Sequence, residues 1–170
     1  VYGRTKLGGE KSIQATGCNH VILRTAWLYS EYGKNFVKTM LNLTATKPQL
    51  NVVFDQTGTP TYALDLAEVI AVILSDYESS CHTGESYSKN GIYHYSNEGV
   101  CSWYDFACEI FRQAGYDTKV IPVTTGEYGL SKAARPFNSR LDKSKLIENG
   151  FEPLPTWQDA LSRYLKEIGE

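Results

Sequence analysis

The stretch VYGRTKLGGE at residues 1–10 and the stretch HVILRTAWLY at residues 20–29 decide the fold of this chain. The first begins a helix-like run that ends near Gly17. The second is rich in Val, Ile and Leu without clean alternation, which is typical of a parallel strand that is covered on both faces. A helix that leads into such a strand predicts an α/β fold.

Tyr2 and Lys6 are four residues apart in the predicted helix. At this spacing, two side chains lie on one face of a helix, about one turn apart. An ammonium group beside a phenol favours the phenolate, and a tyrosine in this setting can exchange a proton with a substrate oxygen near neutral pH. The spacing therefore predicts that Tyr2 and Lys6 are a proton-transfer pair.

The Tyr-x-x-x-Lys pattern is short, and it occurs a second time at Tyr128 and Lys132. With this content of Tyr and Lys, roughly one match is expected by chance. The second copy lies in a glycine-containing stretch with Pro136 close behind, so a long helix is not expected there. We assign Tyr128 and Lys132 to a surface loop, because only the first copy has a helix and a strand around it.

Further strands and helices alternate along the rest of the chain, which supports the α/β class. The segments 79–91 and 126–138 are predicted to be surface loops. Ser102 and Thr156 have the spacing of helix N-caps, and Gly115 that of a helix C-terminus. Helices are expected at 34–43, 61–76, 102–114 and 156–168, and strands at 50–54, 92–96 and 118–123.

The composition predicts an ordinary globular domain that stays in the cytoplasm. The 170 residues are 42% apolar and carry a net charge of -2, so no basic surface for nucleic acid is expected. No apolar run approaches the ~20 residues of a membrane helix, and no signal peptide opens the chain. The first residue is Val, which predicts that the sequence begins within a longer protein. Four cysteines without C-x-x-C pairing predict reduced thiols and no metal site.

Several segments carry a family resemblance. The pattern Tyr2-Gly3-x-x-Lys6 with Gly9-Glu10, followed by RTAWLY at 24–29, resembles the extended short-chain dehydrogenase/reductase superfamily. Within it, the chain is most similar to the dTDP-4-dehydrorhamnose reductase family. The similar segments occur in family order and correspond to the C-terminal part of that family. Further segments of this kind are 33–36, 55–61, 93–97 and 135–142.

The resemblance implies a fold and a division into domains. It implies the C-terminal part of a Rossmann-type doubly wound fold together with the smaller substrate-binding domain. Residues 1–54 would be the last part of the dinucleotide-binding domain, with the Tyr-x-x-x-Lys helix. Residues 55–170 would be mostly the substrate-binding α/β portion, interleaved with the first.

The resemblance also implies a reaction, the NAD(P)H-dependent reduction of dTDP-4-dehydro-L-rhamnose to dTDP-L-rhamnose for polysaccharide biosynthesis. Tyr2 would be the proton donor, and Lys6 would also hold the nicotinamide ribose. No two glycines lie two apart, so the Gly-x-Gly-x-x-Gly loop for the cofactor pyrophosphate is absent. The family's catalytic Ser or Thr lies upstream of Tyr2. We therefore expect the chain alone to be inactive, with the choice between NADPH and NADH, and any use of Mg²⁺, left open.

Two candidate substrate-binding residues follow the first strand. Trp27 lies at its C-terminal edge, where α/β sheets place ligands, and the resemblance suggests that its indole covers the apolar face of a deoxysugar. The alternative is a core aromatic residue. Asn35 is similar to a position that contacts the nucleotide-sugar, but it could equally cap the helix from 36 onward. Arg24 could be a buried ion-pair partner or a ligand contact.

Arg135 and Asn138 are the other candidate substrate-binding residues. Arg135 precedes Pro136 in a loop, where a guanidinium can bind a diphosphate through two hydrogen bonds. Asn138 and Arg140 are weaker candidates beside it. The segment 56–61 could line the same cleft or turn the chain.

Three functions fit these residues. The first is the reductase, for which we expect a nucleotide-sugar substrate and a homodimer. The second is a nucleotide-sugar epimerase or dehydratase with the same Tyr/Lys pair. The third is a non-catalytic regulatory subunit that resembles the β-subunit of methionine adenosyltransferase.

Overall fold

Helices and strands alternate along the chain in a computed structural model that describes residues 1–83, 87–129 and 134–169. The helices are α1 (Tyr2–Ala15), α2 (Phe36–Thr44), α3 (Ala63–Thr83), α4 (Trp103–Ala114), α5 (Thr125–Tyr128), α6 (Ser144–Glu148) and α7 (Trp157–Ile168). The strands are β1 (Val21–Arg24), β2 (Leu28–Tyr29), β3 (Gln49–Val53), β4 (Thr57–Gly58), β5 (Thr61–Tyr62), β6 (Gly91–His94), β7 (Cys101–Ser102) and β8 (Lys119–Val123).

Strand pairing confirms the predicted α/β class. Strand β1 pairs in parallel with β6, β2 with β5, and β3 with β8. The short strands β4 and β7 pair antiparallel. Parallel neighbours require crossover connections, and these connections contain the helices. The division into a dinucleotide-binding and a substrate-binding part stays a prediction.

The predicted strand at 20–29 is interrupted, so this prediction is wrong in its middle. Strand β1 ends at Arg24 and β2 begins at Leu28, and the two pair with different strands. Trp27, between them, has a φ of 50°, a left-handed value that is uncommon for residues other than glycine. The chain leaves the partner of β1 at this point, which a pattern of apolar residues cannot reveal.

Helix ends follow local capping chemistry where the sequence predicts it. Ser102 and Asp105 form the expected capping box at the start of α4, and Gly115 ends that helix with a φ of 75°. Thr156 caps α7 by accepting a hydrogen bond from the Asp159 N–H. These expectations are confirmed because a cap depends on neighbours only a few residues away.

Three other segments differ from the predictions. Helix α3 continues to Thr83 instead of ending by Asp76, and α6 was not foreseen. Helix α5 occupies part of the predicted loop 126–138, because Thr124 and Glu127 form a capping box that starts a helical turn. Tyr128 is exposed at the end of α5. Lys132 lies outside the described residues.

Two hydrophobic clusters form the core. The larger joins α2, α4 and α7 to strands β2, β3 and β5 and is rich in aromatic side chains. The smaller packs α3, β6 and α6 together. Over the described ranges, no helix has the length and apolar content needed to cross a membrane. Fully or nearly fully buried aromatic residues of the larger cluster are Tyr29, Tyr62, Phe106, Phe111, Trp157 and Tyr164.

One buried carboxylate ties the start of α3 to α7. Asp65 is 2% exposed and accepts two hydrogen bonds from the Arg163 guanidinium, at 2.5 and 2.8 Å. The Asn97 Nδ2 donates a further hydrogen bond to Asp65 at 2.6 Å. The hydrogen bonds between Asp65 and Arg163 raise the pKa of the Arg163 guanidinium. The charge of Asp65 is therefore compensated inside the fold.

Candidate active site

Tyr2 and Lys6 lie on one face of α1, as their spacing predicts. The Lys6 Nζ is 5.6 Å from the centroid of the Tyr2 ring. Tyr2 is 77% exposed, so its hydroxyl is accessible to a ligand. An accessible phenol with an ammonium group beside it can donate a proton while the cation stabilises nearby negative charge.

Helix α1 is tied to strand β1 by an ion pair. The Arg24 Nε donates to Glu10 Oε1 at 2.8 Å, and the Arg24 Nη2 donates to Glu10 Oε2 at 2.6 Å. These hydrogen bonds from Arg24 lower the pKa of the Glu10 carboxyl. The Glu10 side chain is 13% exposed and that of Arg24 is 42% exposed. Arg24 is thus an ion-pair partner, but one that lies near the surface and is not buried.

This contact shows how α1 and β1 are arranged. Glu10 lies just past the middle of α1, five residues before its last residue, and Arg24 is the last residue of β1, which begins five residues after the capping Thr16. Because the connection between them is short, this contact indicates that β1 folds back along α1, so that the helix and the strand run in roughly opposite directions. The N-terminal end of α1, with Tyr2, therefore lies toward the edge of β1 that leads to Trp27.

At that edge, Trp27 belongs to a group of packed aromatic rings. Its ring centroid is 3.6 Å from that of Trp103, and the two planes are 12° apart. Phe36 contacts Trp103 in turn, with the centroids 4.6 Å apart. Trp27 is half-buried and packs against the larger core cluster. Trp27 can therefore be a core aromatic residue, since one part of it packs against the core, or a substrate-binding residue, since another part is exposed.

The absence of a side chain at Gly58 allows Trp27 to take this position. A Cβ atom on Gly58 would lie 2.8 Å from Trp27 Cε2 and 2.5 Å from Ser139 Oγ. Such contacts are too short for carbon and oxygen atoms, so any larger residue would have to displace one of the two side chains. The segment 55–61 therefore does more than turn the chain, since it supports the Trp27 indole.

Trp103 lines a cleft with a volume of about 350 Å³. Its apolar wall includes Phe36 and Val52, and its polar groups include Gln56 and Arg135. A cleft of this size with mostly apolar walls and a few polar groups is typical of a small-molecule site. The remaining lining residues are Met40, Asn51, Val53 and Tyr128.

The polar floor of this cleft is held by hydrogen bonds to α5. The Gln56 Nε2 donates to Thr125 Oγ1 at 3.0 Å, and Gln56 is buried. The Thr125 N–H and hydroxyl both donate to the Asp55 carboxylate. These hydrogen bonds lower the pKa of Asp55. The segment that begins at Asp55 is therefore fixed against the start of α5.

Asn35 and Asn138 lie away from the cleft walls. The Asn35 Oδ1 accepts a hydrogen bond from the Lys38 N–H at 3.0 Å, which confirms that Asn35 caps α2. The Asn35 Nδ2 donates to the Ser30 carbonyl at 2.7 Å. The Asn138 Oδ1 accepts hydrogen bonds from Arg140, and both residues line a separate, more open groove. Their substrate-binding roles stay predictions.

Glu10 and Trp103 are two site residues to which the sequence analysis assigned no role. Glu10 is four residues after Lys6, so helical spacing alone could have placed it on the same face. Trp103 follows an N-cap, and only its tertiary contacts reveal that it lines a cleft. Among the described residues, no three His, Cys, Asp or Glu side chains are arranged to hold a metal ion.

Comparison with known proteins identifies relatives over almost the whole chain. The chain is 43% identical to the spore coat polysaccharide biosynthesis protein SpsK of Bacillus subtilis, covering 98% of the chain and 54% of that protein. It is 42% identical to a dTDP-4-dehydrorhamnose reductase of Sinorhizobium fredii, covering 96% of the chain and 55% of that protein. The chain spans about half the length of these curated relatives.

A solved structure and a family model agree with these relatives. The fold matches the crystal structure of dTDP-4-dehydrorhamnose reductase from Bacillus anthracis in complex with NADP, with a TM-score of 0.85 and 38% identity. That match covers 98% of this chain and 54% of the other. The model of the RmlD substrate binding domain matches residues 1–170. The chain therefore belongs to the RmlD substrate binding domain family.

Proposed function

We propose that a full-length protein containing this chain is an NAD(P)H-dependent dTDP-4-dehydrorhamnose reductase that converts dTDP-4-dehydro-L-rhamnose to dTDP-L-rhamnose. The observation that carries the proposal is the accessible Tyr2–Lys6 pair on α1 in a chain of this family. The reductases among its relatives, one of them crystallised with NADP, support the same reaction.

The residues of α1 fit a nicotinamide cofactor. Tyr2 offers an accessible hydroxyl, and the Lys6 ammonium one helical turn away would hold a ribose hydroxyl of the cofactor. When bound, the reduced nicotinamide supplies the hydride for the ketone carbon. The pyrophosphate loop would come from outside this chain, because no Gly-x-Gly-x-x-Gly sequence is present in it.

Tyr2 completes the reduction by proton transfer. Negative charge develops on the C4 ketone oxygen as the carbon is reduced, and the Tyr2 hydroxyl donates its proton to that oxygen. Lys6 stabilises the phenolate that remains on Tyr2. Tyr2 thus neutralises the charge on the substrate oxygen, and Lys6 balances the charge left on Tyr2. Both side chains lie on one face of α1.

The cleft beside Trp103 is the proposed site of the nucleotide part of the substrate. Arg135 can donate two hydrogen bonds to a diphosphate, and the Trp103 ring offers a flat apolar surface. Trp27 contacts Trp103 and adjoins the edge toward which the N-terminal end of α1 lies, so its exposed part can cover the deoxysugar. This arrangement would hold the sugar between the cleft and the proton donor.

Two further properties belong to the proposal. All four cysteines are free thiols, which suits the reducing cytoplasm.

Helix α3 carries exposed apolar residues at the helical spacing of one stripe, which supports a homodimer. The residues of this α3 stripe are Ala67, Ile70, Ala71 and Leu74.

The direct test is an assay of the full-length protein with dTDP-4-dehydro-L-rhamnose and NADPH, repeated with NADH. A reductase oxidises one reduced cofactor for each dTDP-L-rhamnose formed. An epimerase would convert a nucleotide-sugar without net oxidation of the cofactor, and a regulatory subunit would convert none. Either of those results would contradict the proposal.

A further inference from the structure

The ion pair between Glu10 and Arg24 lies on the same side of α1 as the proton-transfer pair. Tyr2, Lys6 and Glu10 are spaced four residues apart, so their side chains follow one another along a single stripe. Within the described part of the chain, α1 has no buried residue. Glu10 is the most enclosed side chain of this stripe, and its contact is with the strand that leads to Trp27.

The ion pair is connected to both Tyr2 and Trp27 by short stretches of chain. Eight residues of helix separate Glu10 from Tyr2, which corresponds to about 12 Å. Three residues of chain separate Arg24 from Trp27, which is at most about 10 Å. Because α1 and β1 run in opposite directions, both distances extend toward the same edge. A tilt of α1 about Glu10 would therefore change the gap between the proton donor and the substrate wall.

The geometry of the pair suits orientation more than stability. Both carboxylate oxygens of Glu10 accept hydrogen bonds from the planar Arg24 guanidinium, which fixes angle as well as distance. Ion pairs this close to solvent contribute little to folding free energy. A displacement of about 1 Å in a reacting group can cost on the order of 100-fold in rate. We therefore expect the fixed orientation of α1 to affect kcat more than it affects the free energy of unfolding.

We propose that Glu10 is a positioning residue, which acts through Arg24 to hold Tyr2 and Lys6 at a fixed distance from the substrate wall formed by Trp27. The proposal rests on the proposed reductase function for its kinetic consequence. Its structural consequence, a single fixed position for Tyr2, is independent of that function.

The kinetic test uses the full-length protein with Glu10→Gln, Arg24→Lys and the exchanged pair E10R/R24E. Both single variants should lower kcat about 10- to 100-fold, with the KM for the sugar nucleotide nearly unchanged. The exchanged pair should recover most of the lost kcat, since it restores the two charges in opposite places. Glu109→Gln is the matched control, because Glu109 accepts the same two-pronged contact from Arg112 on α4.

The structural test follows Tyr2 directly by ¹⁹F NMR of protein made with fluorotyrosine. The Tyr2 signal, assigned by its loss in Tyr2→Phe, should be a single narrow line in the wild type. It should broaden or split in Glu10→Gln and return in the exchanged pair. An unchanged Tyr2 signal in Glu10→Gln would overturn the proposal, whether or not the wild type proves to be a reductase. So would an active wild type whose kcat is unaffected by Glu10→Gln.

Discussion

At the scale of single residues, Gly58 determines where the Trp27 indole lies. Gly58→Ala should displace Trp27, because the added Cβ would meet Trp27 and Ser139 at distances below 3 Å. In the full-length protein, if it is assayed as the proposed reductase, we expect the KM for the sugar nucleotide to rise about 10-fold, equivalent to ~1.4 kcal/mol of binding, with a smaller change in kcat.

Gly126→Ala is the matched control for Gly58→Ala. The nearest atom to a Cβ on Gly126 is 4.0 Å away, so this substitution meets no obstacle. Steady-state kinetics of the two variants would be compared with their melting temperatures. A normal KM in Gly58→Ala would contradict the role of Trp27 in substrate binding.

Residue patterns in the sequence predict some parts of the site and not others. The Tyr2–Lys6 pair can be predicted because helical spacing alone brings the two side chains together. The cap at Asn35 is similarly local. The stacking of Trp103 on Trp27 joins residues 76 positions apart, and no local pattern indicates it. Contacts of this kind depend on the tertiary fold.

At the scale of elements, the contact between Asp65 and Arg163 connects α3 with α7. Arg163→Met should destabilise the chain by about 3 kcal/mol, because it leaves the buried Asp65 carboxylate without its main partner. This loss of stability is at the lower end of the range of about 3–5 kcal/mol that is usual for breaking a buried ion pair, because the Arg163 side chain is 37% exposed. Urea unfolding of the 170-residue chain measures this difference.

Arg112→Met provides the comparison for Arg163→Met. Arg112 pairs with Glu109 on the surface of α4 and is 70% exposed. Its replacement should destabilise the chain much less than Arg163→Met does, because ion pairs at the surface contribute little to the free energy of unfolding. Equal losses in the two variants would show that burial of Asp65 does not determine the effect.

Patterns of apolar residues in the sequence predict most of the longer helices and strands, but not all elements. They predict the helices α2, α4 and α7 and the strands β3, β6 and β8 within a few residues of their observed ends. They fail at Trp27, where a left-handed backbone moves the chain from one strand partner to another. They also fail at α5 and α6, which are too short to show a helical period.

At the scale of the whole molecule, the exposed stripe on α3 predicts self-association. Ile70 and Leu74 are 43% and 56% exposed, and exposed apolar stripes of this kind commonly mark interfaces. Analytical ultracentrifugation of the chain should detect dimers or larger species at micromolar concentration. The double variant Ile70→Ser/Leu74→Ser should shift the population toward monomer. A monomeric wild-type chain would contradict this expectation.

The central claim is that Tyr2 is the proton donor of a sugar-nucleotide reductase, and Tyr2→Phe in the full-length protein tests it most directly. We expect kcat to fall about 100- to 10,000-fold, because the phenol contributes its proton only in the transition state. NADPH and sugar-nucleotide binding, measured by calorimetry, should be retained. Tyr32→Phe, at an 85% exposed tyrosine outside the cleft, should keep the wild-type rate. A Tyr2→Phe variant that retains more than about a third of the wild-type rate would contradict the account, since loss of a proton donor costs at least ~100-fold.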